Sequence, residues 1–91
     1  MLKDEGRPFT GPLAGFLTGL VEERHRMGFR FKEEERLLHE LDKMSAGYDC
    51  TGGLSEELVV KFIERKPNWH QETQKHHVHA VRLLALYMLR H

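Results

Sequence analysis

Histidine supplies most of the reactive side chains in this 91-residue chain: five of its seven histidines, His70, His76, His77, His79 and His91, fall in the last third. His76 and His79 are spaced i, i+3, so on a helix they share a face and offer two imidazoles to a metal. No cysteine or carboxylate stands at a spacing that completes four ligands, so a weak Ni or Cu site is chemically conceivable but a zinc centre is not expected, and no cofactor is assigned. Cys50 is the sole cysteine, in the turn-forming run Asp49-Cys50-Thr51-Gly52-Gly53, and reads as a bystander that cannot form an internal disulfide. A second chemistry is open to Thr73, Gln74, Lys75, His76 and His77. A hydroxyl, an amide, an ammonium and imidazoles in succession can bond phosphates and base edges.

Charge supports that second chemistry. Fourteen basic and fourteen acidic side chains cancel, which argues against a protein that holds nucleic acid by bulk charge. The cancellation hides a polarity. Residues 1–30 carry five basic and four acidic groups, residues 31–60 three and eight, and residues 61–91 six and two. A domain with one basic end can meet a phosphate backbone there while its acidic side faces away.

The elements that position these groups are helical. Leu13, Phe16, Leu17, Leu20 and Val21 form an i, i+3, i+4, i+7 stripe that predicts a first helix ending near Gly28. Residues 31–45 predict a second, with Glu33, Glu34 and Glu35 in its first turn and Leu37, Leu38, Leu41 and Met44 on one face. Ser55 is a good N-cap for a short third helix whose inner side is Leu58, Val59, Phe62 and Ile63 and which Pro67 should end. After the corner Pro67-Asn68-Trp69, residues 71–90 lack Gly and Pro and predict the longest helix, striped by Val78, Val81, Leu84, Ala85 and Met88. Trp69 is expected as a lid on the core rather than a base-stacking platform. Leu86, Tyr87 and Leu89 exceed what four short helices cover and suggest a docking face. Residues 1–12, with two glycines and two prolines, read as a flexible lead-in in which Phe9 has no evident partner.

The class is thus all-α, one domain, over residues 13–91. A core this small leaves little room for an enclosed catalytic cleft. No apolar run approaches the roughly 20 residues of a membrane span, and the N-terminus lacks the apolar core of a signal peptide, so a soluble chain in a reducing cytoplasm, without membrane partners, is expected.

The order helix, helix, short helix, long helix carries Gly53-Leu54-Ser55-x-Glu57-x-Val59-x-x-Phe62-Ile63 and then Thr73-(x8)-Arg82-x-x-Ala85-x-Tyr87-Met88. This resembles the N-terminal SAM-like, or core-binding, domain of the tyrosine recombinase (phage integrase) family, and residues 28–36 and 38–42 are similar to that family's second helix. The resemblance covers about residues 13–91. It implies a compact four-helix SAM-like bundle with a long C-terminal helix that grips a recombination half-site of double-stranded DNA as one arm of a clamp. The other arm would be a C-terminal catalytic domain of the same parent chain, acting with further recombinase subunits in DNA integration on the prokaryotic nucleoid. In relatives the second and last helices approach the DNA, which nominates Arg30, Lys32 and Arg36, and Thr73, Gln74, Lys75, His76 and His77. His76 and His77 stand where the family more often has an Arg pair, and three glutamates flank Lys32, so affinity is expected in the nonspecific range of roughly 10⁻⁴ to 10⁻⁶ M.

His79-Ala80-Val81-Arg82 spells the family's catalytic His-x-x-Arg box, with Tyr87 following. The upstream Arg segment is missing, Tyr87 lies only five residues on in the same predicted helix, and Arg82 falls where the core-binding pattern itself has an Arg. The chain therefore reads as a non-catalytic module. Two other readings share the apolar spacing: a SAM-like or death-fold module that binds protein, and, more weakly, a helix-turn-helix regulator, whose third helix would here be acidic and poor in base-reading residues.

Overall fold

The computed structural model describes residues 8–91; the first seven residues of the lead-in lie outside the described part. Four helices follow one another, α1 (Ala14–Arg26), α2 (Lys32–Ser45), α3 (Glu56–Ile63) and α4 (Gln71–Arg90), and no strand occurs among the described residues. The all-α class holds. α4 packs against each of the other three helices and α2 does likewise, whereas α1 and α3 do not touch. The core is therefore built around the pair α2 and α4, from Leu17 and Leu20 of α1, Leu37, Leu38 and Leu41 of α2, Leu58 and Phe62 of α3, and Ala80, Val81 and Leu84 of α4.

Local chemistry sets the helix ends. Gly28 takes φ +92°, its N–H donates to His25 and that of Phe29 to Arg24, both over the last turn of α1. That is a Schellman closure, which needs the left-handed residue that glycine supplies at least cost. Phe31 then adopts φ +59°, rare for an aromatic residue, and is the N-cap of α2 rather than its first residue. Burial of its ring in the core offsets a backbone cost of about 1–2 kcal/mol. Ser55 Oγ accepts the N–H of Leu58 at 3.2 Å, the expected N-cap of α3. α3 ends at Ile63, four residues before the proline that was expected to stop it, because the chain turns extended at Glu64 while a side chain from α4, described below, takes the carbonyl of Ile63.

The end of the lead-in is more ordered than its glycines and prolines suggest. Phe9 is buried, its ring stacked on His39 of α2 at 4.1 Å and 12°. Just after it, the N–H groups of Thr10 and Gly11 donate to the two carboxylate oxygens of Asp42, at 3.0 and 2.8 Å. A Cβ on Gly11 would stand 2.6 Å from Ser45 Oγ and 2.9 Å from the Asp42 carbonyl, so only glycine allows this approach. The segment thus straps onto α2 through two charge-assisted bonds to a buried carboxylate. Asp42→Ala removes both and is expected to cost about 2 kcal/mol in urea unfolding, with proteolysis appearing first near residues 8–12. In the α2–α3 loop, the hydroxyl and the N–H of Thr51 bond Asp49 and hold its carboxyl below the usual range, which fixes a turn.

Candidate nucleic-acid interface

α2 and α4 lie side by side where the nominated residues fall. Their join is Glu40 of α2, whose carboxylate stands 3.6 Å from Nε2 of His77. Arg36 lies on the same carboxylate at 3.2 Å and reaches Glu33 at 2.7 Å. The second helix therefore meets α4 with its central arginine held between two glutamates. Arg30 and Lys32 are exposed and make no hydrogen bond or ion pair among the described residues. Glu33, also exposed, sits beside them and lowers the field they project.

The structure redistributes the roles on α4. His77 was nominated for DNA but is a core residue, only 5% exposed. Its ring stacks on Trp69 at 4.2 Å and meets Phe62 at 4.8 Å, and its Nδ1 donates to the carbonyl of Thr73 at 2.8 Å. A ring this buried, packed against two aromatic neighbours, is out of reach of a duplex. The physical reason is register: positions 77, 80, 81 and 84 share one side of the helix, and that side faces the core. Trp69 is half-buried over this ring with the Lys66 ammonium 5.2 Å from its own ring centre, so it is the lid that its place at a corner suggested.

Gln74 is likewise engaged. Its Nε2 donates to the carbonyl of Ile63 at 3.0 Å, satisfying one of the orphan acceptors at the end of α3. Thr73 is half-buried, while Lys75 and His76 are exposed. Lys75 lies 3.5 Å from Glu72, both about 70% exposed, a pairing of small value that solvent and salt readily break.

Two exposed residues that the sequence reading assigned elsewhere complete this face. His79 and Arg82, considered above as a metal ligand and as the ends of a His-x-x-Arg motif, line a shallow depression of about 310 Å³ with Gln74, Lys75 and Val78. The signal was present in the spacing: 75, 79 and 82 form a helical row opposite the buried stripe of Val81 and Leu84. Arg82 makes no hydrogen bond or ion pair among the described residues, and no acidic residue follows Glu72 in the chain. Arg90, by contrast, is engaged with Glu23 of α1 at 3.1 Å.

Other chemistry is thinly supplied. Among the described residues no group of three or more His, Cys, Asp or Glu side chains is placed to hold a metal, and Cys50 is buried. No helix among them is long and apolar enough to cross a membrane. Of the apolar end of α4, Leu86 and Leu89 are 52% and 83% exposed, but Tyr87 turns onto Gly19 of α1, with His91 stacked on its ring at 4.1 Å. No family model, curated protein or solved structure matches this chain.

Proposed function

We propose that this chain is a DNA-binding module, and in its finer form a core-binding arm of a tyrosine recombinase that holds one side of a recombination half-site without itself doing chemistry. The observation that carries the DNA reading is the outer face of α4. Lys75, His76, His79 and Arg82 are all exposed there, and the helix contains one acidic residue, Glu72. The helix order, the Ser55-capped short third helix and the long last helix support the finer reading through the family pattern they resemble. Acidic groups concentrate on the neighbouring α2 and at the start of α3, so a duplex is attracted along the outer face of α4 and opposed along α2.

With this few cations the binding is weak and salt-dependent. A 20-base-pair duplex in a fluorescence anisotropy titration is expected to bind at low salt with a Kd on the order of 10⁻⁴ M and to lose affinity steeply as salt rises, with a log–log slope of about −3 for three or four phosphate contacts. A flat response at millimolar DNA removes the DNA reading. The recombinase reading is tested separately, by whether the coding sequence downstream supplies an Arg, a His-x-x-Arg box and a Tyr nucleophile.

The competing reading, a helical module that binds another protein, draws on Leu86 and Leu89, two large apolar side chains exposed near the end of α4. It places the contact at the opposite end of that helix from the basic row. Amide shifts mapped along α4 therefore separate the two.

A further inference from the structure

We infer that α4 meets the duplex side-on, with Lys75, His79 and Arg82 holding phosphates of one strand, rather than by entering the major groove with its first turn; this inference rests on the DNA reading above. Groove insertion needs polar side chains at the helix start that are free to reach base edges. Here three of the side chains nominated for that role are held back by the protein itself. Gln74, the side chain suited to adenine, commits one of its two amide N–H groups to the end of α3; His77 is buried against Trp69 and Phe62; and Thr73 is half-buried.

The exposed donors lie further along. Lys75, His79 and Arg82 follow one another at four and three residues, a row of about 10 Å along the axis. A DNA strand carries a phosphate about every 3.4 Å of its own axis, so such a row can touch more than one. Each donor suits the acceptor: Lys offers a point charge, Arg a planar fork, and an imidazole N–H donates in either protonation state. The shallow depression they line also takes in Val78 and Gln74 and has no carboxylate in its lining. Phosphates carry no sequence information, so the contact reads the backbone and not the bases.

The test is a two-dimensional amide NMR titration of the chain with two 20-base-pair duplexes of unrelated sequence, at low and raised salt, for the wild type, His79→Gln and Arg82→Gln. Both side chains are exposed, so both variants are expected to keep the wild-type fold and melting temperature. The inference requires shifts centred on residues 75–82 that are alike for the two duplexes. It also requires Arg82→Gln to weaken binding about fivefold at low salt and to reduce the log–log salt slope by about 1. Shifts centred on residues 30–36 or 71–74, or differing between the two duplexes, or an Arg82→Gln variant that binds like the wild type, overturn the side-on geometry and leave DNA binding standing. Spectra that stay still with both duplexes remove the DNA reading, and this inference with it.

Discussion

Leu84→Ala is expected to lower stability by about 4 kcal/mol and the melting temperature by roughly 20 °C. Leu84 has no exposed surface and lies in the middle of α4, the helix that packs against α1, α2 and α3 alike. Truncating it removes three carbons from a fully buried position of the shared core. A core site relaxes only partly around such a gap, so the cost of the cavity adds to the lost transfer energy. A domain of this length has only about 5–10 kcal/mol to lose. Thermal unfolding followed by circular dichroism reads the effect directly. A loss below about 1.5 kcal/mol refutes the central position of α4. An exposed neighbour on the same helix provides the contrast: Leu86→Ala, at 52% exposure, is expected to cost less than about 1 kcal/mol.

His77→Ala is expected to cost about 3 kcal/mol, as a structural histidine does and a surface DNA ligand does not. The substitution opens a cavity between Trp69 and Phe62, removes the bond to the Thr73 carbonyl and takes from Glu40 its neighbour on α4. Trp69 reports the change, since its indole loses the ring it stacks on, and its fluorescence is expected to shift to the red as water enters. His77→Phe distinguishes packing from polar chemistry. A phenyl ring fills nearly the same space and restores the stack, so stability is expected to return to within about 1.5 kcal/mol of the wild type. DNA affinity and its salt slope are expected to be those of the wild type in this variant, because the imidazole is enclosed. A His77→Phe protein that folds normally but loses a phosphate contact from its salt slope contradicts that placement.

The two substitutions bear on the site as well as the fold. α4 presents its basic row only because its opposite side is fully used, by Leu84 and Val81 in its middle and by His77 against the Trp69 corner. The same corner joins the end of α3 to the start of α4 through Gln74, which is why the first turn of α4 has little polar chemistry left to offer. A polar side chain near a helix start is as useful to the protein for closing the preceding helix as to a ligand. Which use prevails depends on where the preceding helix ends.

Much of this was legible in the residues alone. The four helices follow from apolar spacing, the N-cap of α3 from Ser55, the end of α1 from Gly28, and α4 from twenty residues without Gly or Pro, because these are local preferences that act within a few residues. The charge polarity was equally plain. Three things were decided by the tertiary structure. Phe9 and the turn after it dock on α2 because a carboxylate 32 positions away from Thr10, at Asp42, presents two oxygens to two N–H groups, and no local pattern announces such a partner. Register alone puts His77 on the side of Val81 and Leu84, but the rings that close over it, Trp69 from the corner and Phe62 from α3, come from outside its helix. Arg36 has its charge shared between Glu33 and Glu40, and Arg82 keeps its own, because α2 brings carboxylates within reach along its exposed side and α4 does not. Sequence by itself thus determined which elements form and where charge accumulates, through short-range propensity and composition. Only the packing of α2 and α4 decided which of the polar side chains remain available to a partner, since burial and pairing depend on residues far apart in the chain.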